Sequence, residues 1–344
     1  MPVSVIVGGQ YGSEGKGKVA YSVAERSGAR YALRVGGPNS GHTVVDSAGK
    51  THILHHLPTP VLLPNVTALL PAGSYIRPST LLREIDAVGV TPDRLKIHPN
   101  SYVIQDEDIA QERADNLNSR IGSTETGVGA AVVARVTRRS NNGLAAHHHE
   151  LSPFICDFSD ELSSELRRSV RVVVEGTQGF GLSLLHSPHY PYCTSRDTTA
   201  SGFISEAGIA PLWVDDVVLV IRSMPIRVAG NSGPLGGEIT WDEVTNLSGS
   251  RVPLLEHTTV TRRIRRVARF DPGIVRQAIT YNCPTRIAMN HLDYIDAACS
   301  ENLTARAKSF VQEVERSIGQ AIDLVGTGPA SLLEHRSASR VSAA

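Results

Sequence analysis

A short strand that runs straight into glycines and lysines constrains this chain more than any other stretch. Residues 3–7 (Val-Ser-Val-Ile-Val) read as a buried strand, and Gly8-Gly9-Gln10-Tyr11-Gly12-Ser13-Glu14-Gly15-Lys16-Gly17-Lys18 follows at once. Glycine at that density ends the strand, and beyond Lys18 the apolar spacing turns helical. Strand, glycine loop with lysines, then helix is the arrangement that aims backbone N–H groups and a helix N-terminus at a phosphate. Standard spacings do not fit. A Walker A loop needs Gly, four residues, then Gly-Lys-Ser/Thr. Here five residues separate Gly9 from Gly15, and Gly17 stands where the magnesium-binding hydroxyl would follow Lys16. Nor is this the six-residue glycine fingerprint of dinucleotide folds. A plain glycine turn with surface lysines competes; paired lysines so close to a buried strand favour phosphate.

Further apolar runs bounded by turn residues recur at 31–35, 66–70, 95–98, 170–174, 217–221, 285–289 and 322–325. Several are continuous Val/Ile/Leu, as in strands buried on both faces. Helical stretches at 79–87, 109–117 and 303–319 lie between them, an alternation that predicts an α/β fold with a mainly parallel sheet covered by helices. No repeat or linker divides the chain, so residues 1–334 are expected to form one domain and 335–344, rich in Ser, Ala and Arg, a frayed tail. Lys plus Arg and Asp plus Glu are equal at 34 each, so no global field recruits nucleic acid or an anionic membrane. Four scattered cysteines suit reduced thiols in a cytoplasm. The start goes directly into a strand without a signal-peptide pattern, and no apolar run approaches the ~18 residues of a membrane span. His147-His148-His149 sits in a loop without the spacing of a metal site.

Five later stretches carry chemistry. Arg34-Val35-Gly36-Gly37-Pro38-Asn39-Ser40-Gly41-His42-Thr43 follows a strand; its glycines allow close backbone approach to a ligand, and its histidine is the usual side chain for proton transfer near neutral pH. Residues 121–129, with Ser123, Thr124, Thr126 and three glycines, precede Arg135, Arg138 and Arg139; hydroxyls, glycine N–H groups and guanidinium suit a monophosphate. Glu175-Gly176-Thr177-Gln178-Gly179 directly follows a buried strand and goes with Tyr190-Pro191-Tyr192-Cys193-Thr194, where the glutamine and threonine are plausible contacts to a purine and its phosphate. Thr258 to Arg266 holds four arginines among threonines. That is a solvated face, a nucleic-acid patch or a loop gripping a small carboxylate, and the neutral balance favours the last. Asn290-His291-Leu292-Asp293 ends a late strand with an acid that can read a nucleobase edge or cap a helix.

In this order these stretches resemble the adenylosuccinate synthetase family across nearly the whole chain, with 55–60 and 326–329 adding to the match. The resemblance implies a P-loop-NTPase-like α/β fold, a homodimer, Mg2+, and a ligase joining L-aspartate to C6 of a purine nucleotide at the expense of a nucleoside triphosphate. It carries residues over by position. Gly12, Ser13, Glu14, Gly15, Lys16, Gly17 and Lys18, with Gly41, His42, Thr43, Asn290, Asp293, Gly326 and Gly328, match the triphosphate site. Among them Lys16 holds phosphate, His42 is the general acid, and Gly41 and position 13 attend the metal. Asn39, Thr124, Gln178, Thr194 and Val228 match the purine monophosphate site, with Ser13 beside the base, and Arg138 an arginine reaching it from the partner subunit. Thr259, Thr261, Arg263 and Arg265 match the aspartate loop.

Two departures refine the expectation. Ordinary members carry aspartate where this chain has Ser13; that carboxylate takes the N1 proton of inosinate. Serine is uncharged and a poor base, yet its smaller side chain leaves room for the 2-amino group of guanine. Gly-Ser-Glu-Gly-Lys-Gly-Lys looks like the phage branch of the family, the 2-aminoadenylosuccinate synthases, which join aspartate to dGMP on the way to diaminopurine. The expected site is then host cytoplasm. His291 replaces the family's lysine beside the retained Asp293, which points to ATP or dATP rather than GTP as donor. The remaining alternatives are a conventional synthetase using IMP, a nucleotide-dependent switch, and a DNA binder.

Overall fold

The computed structural model describes residues 1–139, 143–258 and 262–335. Its centre is a nine-stranded sheet made of β1 (Val3–Gly8), β2 (Tyr31–Arg34), β3 (Thr67–Leu70), β4 (Leu95–Ile97), β5 (Val172–Glu175), β6 (Val214–Arg222), β7 (Arg286–Asn290), β8 (Leu324–Val325) and β9 (Leu333–Glu334). The spatial order is β9-β8-β7-β6-β1-β5-β2-β3-β4. Neighbours run parallel throughout except β8 and β9, which are antiparallel. Each apolar run read from the sequence is one of these strands. The two-residue β9 is too short to show a period.

Strand β1 is buried along its whole length and shows why the sheet is covered on both sides. Val3, Val5 and Val7 enter one core with Val174, Leu219 and Phe203, while Ile6 enters the other with Val19, Val23 and Val220. Successive side chains of a strand alternate faces, so a run apolar at every position needs a cover on each side. Helix α1 (Lys16–Ser27) supplies one cover through Val19, Ala20, Val23 and Ala24, and Gly28 (φ 64°) ends it. The expected helix over 109–117 is two: Asp106–Ala114 and Leu117–Ile121, separated at Asn116, whose φ of 51° leaves the helical region.

Chain order reverses about β1: later strands flank it on both sides, and ligands in such sheets bind in the crevice beyond the strands' carboxyl ends. The loops after β1, β2, β5, β6, β7 and β8 meet there. After β2 the chain enters a hairpin of His42–Val45 and Thr51–Leu54, and after β6 a small antiparallel sheet of Ile226–Arg227, Arg266–Ala268 and Glu238–Ile239. His335, assigned from sequence to the frayed tail, donates its N–H to the Asp323 carbonyl (2.8 Å); the rest of that segment lies outside the described residues. Among the described residues no helix is long and apolar enough to cross a membrane.

Candidate functional site

The glycine loop bends through left-handed backbone at Gly12 (φ 91°), Ser13 (φ 57°) and Gly15 (φ 88°) before α1 begins at Lys16. Glycine tolerates this conformation, whereas at Ser13 the bend places an exposed hydroxyl-bearing residue at the cavity. No side chain caps α1, so its first N–H groups stay available for an anion. The cavity here has a volume of about 390 Å³. Gly12, Ser13, Gly15, Lys16, Gly17 and Lys18 line it. Glu14 does not. Its carboxylate turns inward, accepts the N–H groups of Gln10 (3.1 Å) and Gly12 (2.8 Å), and pairs with Lys16 Nζ (2.6 Å). A buried ammonium needs a counter-charge, and this acid also satisfies two loop donors. In this conformation Glu14 serves the loop rather than a ligand.

Asn39, Gly41, His42 and Thr43 bring the second loop to the same cavity. The His42 ring is fixed by Glu175 at the end of β5, which contacts its Nδ1; Glu175 also accepts the Thr59 N–H (2.7 Å) and lies 3.4 Å from Arg34. With Nδ1 committed to the carboxylate, Nε2 is the nitrogen left for a ligand. Burial, with Arg34 adding to it, lowers the His42 pKa to about 3 despite the acid. Burial raises Glu175, but His42 and Arg34 hold it below the ordinary range. Sequence reading placed Glu175 in a motif without a role; an acid ending a continuous apolar strand was the available signal.

Beyond α1, Asn290, His291, Asp293 and Gly328 close the far end. Asn290 Nδ2 donates to the Glu14 carbonyl (2.7 Å), while Asn290 Oδ1 and Asp293 Oδ1 are buried without hydrogen-bond partners among the described residues. Both residues line this end of the cavity, so a ligand with N–H donors would satisfy them. Lys18 donates to the Gly328 carbonyl (2.8 Å), and burial lowers its pKa to about 8 although Asp293 opposes the shift. Gly326 is not on the cavity wall: it sits behind Asn290, where a Cβ would collide with Oδ1.

A second cavity adjoins the first, sharing Tyr11, Asn39, Thr124, Gln178, Leu182 and Val228. Thr194 lines only this one. The glycine N–H groups read as phosphate donors are already taken, since buried Glu112 accepts Gly127 N–H (2.8 Å) and Gly129 N–H (2.6 Å) at the start of helix Val128–Val136. That corrects the expectation for those groups. An acid in a preceding helix occupies the positive end of this one. Arg138 is exposed beyond the same helix and lines neither cavity within one chain. Arg227, unforeseen, lines the second cavity with its guanidinium 4.1 Å from the Tyr11 ring centre.

Of the arginine loop, Thr259 and Thr261 lie outside the described residues. Arg263 is exposed, 3.4 Å from Asn118 Oδ1, and lines neither cavity. Arg265 lines the first cavity and pairs with Glu256 (2.8 Å), which also contacts Arg222 and the Tyr294 hydroxyl. Burial pushes Glu256 up, but Arg222, His291 and Arg265 keep it far below the usual carboxylate range. Nothing local in the sequence marks Glu256; only folding brings its partners together.

Among the described residues no three His, Cys, Asp or Glu side chains converge as a metal cluster. Beside the glycine loop the groups expected from the sequence to meet magnesium are neutral, the Gly41 carbonyl and the Ser13 hydroxyl, with Glu14 turned away. Such a set fits an ion that arrives with a triphosphate and keeps most of its waters.

The adenylosuccinate synthetase family model matches residues 5–145 and 141–300. The adenylosuccinate synthetase of Methanocaldococcus jannaschii is 36% identical over 335 residues, covering 95% of this chain and 94% of its own. That of Archaeoglobus fulgidus is 34% identical over 336 residues, covering 96% of each. Among solved structures, the succinoaminodeoxyadenylate synthetase of cyanophage S-2L, bound to dGMP and to dATP as energy donor, superposes with a TM-score of 0.84 at 28% identity. It covers 98% of this chain and 96% of that one. The fully ligated adenylosuccinate synthetase of Plasmodium falciparum, 22% identical, shares the fold with a TM-score of 0.85 over 98% of this chain and 100% of its own.

Proposed function

This chain belongs to the adenylosuccinate synthetase family, C–N ligases that join a purine nucleotide to aspartate with hydrolysis of a nucleoside triphosphate; from that premise we propose that its acceptor is dGMP and its donor ATP. The observation that carries the acceptor is position 13, where an exposed, uncharged Ser13 lines the cavity that Gln178 also lines. A guanine 2-amino group has room there and an oxygen to donate to. Likeness to a cyanophage enzyme solved with dGMP supports the reading. The archaeal relatives carry the conventional name, and that favours a second reading in which IMP is the acceptor.

The purine 6-oxygen is a poor leaving group. It first attacks the γ-phosphorus as N1 gives up its proton to water, the bond from the γ-phosphorus to the β–γ bridging oxygen breaks, and a diphosphate leaves; the aspartate amine then adds at C6, phosphate departs, and the new amine gives its extra proton to solvent. In this scheme Lys16 and the first N–H groups of α1 hold the phosphates. Mg2+ bound with the triphosphate would be met by the Gly41 carbonyl and Ser13, and supplies neutralisation of phosphate charge. Neutral His42 keeps its Nδ1–H on Glu175; approach of the polyanion raises the proton affinity of Nε2, which takes up a proton from solvent and passes it to the departing diphosphate. Asn39, Thr124, Gln178, Thr194 and Val228 surround the mononucleotide, and Arg138 of a second copy completes its phosphate contact in a homodimer. Arg263, Arg265 and the threonines of their loop take the aspartate carboxylates, while Asn290 and Asp293 face the donor base. Residues 1–334 act as one catalytic domain.

The deciding assay measures phosphate release by purified protein with aspartate and ATP, dATP or GTP, against dGMP and against IMP. Aspartate-dependent release with dGMP supports the proposal; turnover with IMP alone rejects it in favour of the second reading.

A further inference from the structure

One half-buried carboxylate on the cavity wall, Glu256, ties together loops that the ligase chemistry needs but that lie far apart in sequence. Glu256 Oε2 accepts from Arg265 Nη1 (2.8 Å) and Arg222 Nη1 (3.4 Å), and Oε1 accepts from the Tyr294 hydroxyl (2.8 Å) and Arg222 Nη2. Arg222 is fully buried, and its Nη1 also donates to the Ser13 carbonyl (3.0 Å). Its backbone is clamped by Gln10 of the same glycine loop, which accepts the Arg222 N–H (2.9 Å) and donates to its carbonyl (3.2 Å). A continuous run of charge-assisted hydrogen bonds therefore leads from Arg265 through Glu256 and Arg222 to the loop that bears Lys16.

We infer that Glu256 is a positioning residue that couples aspartate binding at Arg265 to the set of the triphosphate loop. The inference rests on Arg265 as an aspartate contact. Glu256 shares its charge between two guanidiniums. Arg265 lines the cavity, and its Nε has no hydrogen-bond partner among the described residues, so the guanidinium is not fully committed to Glu256. A substrate carboxylate that reaches this guanidinium from the cavity competes with Glu256 for it. Glu256 then depends more on Arg222, and the tightened pair fixes the Ser13 carbonyl and the loop behind it. Aspartate thus favours the loop conformation that receives phosphate. By reciprocity the triphosphate favours aspartate by the same factor.

The test reads the apparent triphosphate affinity at low and at saturating aspartate, using whichever mononucleotide turns over. In the wild type, aspartate is expected to tighten the triphosphate by about 5-fold or more. Glu256→Gln is expected to bring that ratio to unity and raise the aspartate KM, and its effect on that KM should be non-additive with Arg265→Lys. If Glu256→Gln does not fold, Glu256→Asp keeps the charge but loses the reach and carries the same expectations. A wild-type ratio of one, a folded variant that keeps the ratio and the aspartate KM, or additive effects would each overturn the coupling. Rejection of dGMP in favour of IMP would sink the acceptor proposal while leaving this measurement intact. An aspartate KM indifferent to Arg265→Lys would remove the premise about Arg265 instead.

Discussion

Ser13 in the glycine loop and His42 at the start of a short hairpin strand line one cavity, and substitution tests each role. His42→Asn is expected to lower turnover by about 10²–10⁴-fold with the melting temperature near that of the parent; comparable turnover would take His42 out of the chemical step. Ser13→Asp is expected to raise the KM for dGMP by about 10-fold or more, because a carboxylate crowds the 2-amino group. Unchanged use of dGMP would contradict the steric account. Buried imidazoles set a pH dependence. His56 is buried and accepts the Arg77 N–H at Nε2 (3.2 Å), and burial, reinforced by Arg34, lowers its pKa to about 3. His42 is lowered alike, and His291 well below the ordinary value, in each case by burial first. Below pH 6.5 the unfolded chain binds protons that these folded sites refuse, so stability falls as pH drops toward 4. Glu206, raised by burial to about 7, binds its proton more tightly when folded and opposes the fall. His56→Gln is expected to flatten the slope of unfolding free energy between pH 6 and 5 by about 1.4 kcal/mol per unit. Urea midpoints at those pH values measure it.

At the scale of elements, strands were plain in the sequence because continuous Val/Ile/Leu runs such as 172–174 and 217–221 suit only strands covered on both sides. The glycine loop was legible for the same local reason: strand, glycines and helix are neighbours in the chain. Helix Val128–Val136 was not read correctly at its start. Its N-terminal donors looked free in sequence, and the structure gives them to Glu112 from the helix Asp106–Ala114. Glu112→Gln can accept only one of the two N–H groups and is expected to cost about 1–3 kcal/mol. It should also raise the KM for the mononucleotide, since Thr124 and Thr126 lie in the loop that Glu112 anchors. Chemical denaturation and mononucleotide titration together check both effects.

For the whole molecule, the proposed homodimer makes a prediction of its own. Arg138→Ala and His42→Asn are each expected to be nearly inactive. When the two are mixed and allowed to exchange, one site in each hybrid combines an intact His42 with Arg138 from the other copy, and about a quarter of parental activity should return. Absence of recovery after verified exchange would place Arg138 in its own chain's site or in none. Sequence alone determined the sheet, the glycine loop between strand and helix, the family and the candidate identity of most cavity residues, because periodicity, glycine spacing and ordered motifs are local properties. What only tertiary structure decided is how charged side chains in and around the core are shared: Glu14 with Lys16, Glu175 with His42, Glu112 with a distant helix, and Glu256 with Arg222, Arg265 and Tyr294. A buried carboxylate must find its donors wherever the fold puts them, and a linear pattern contains no record of that choice.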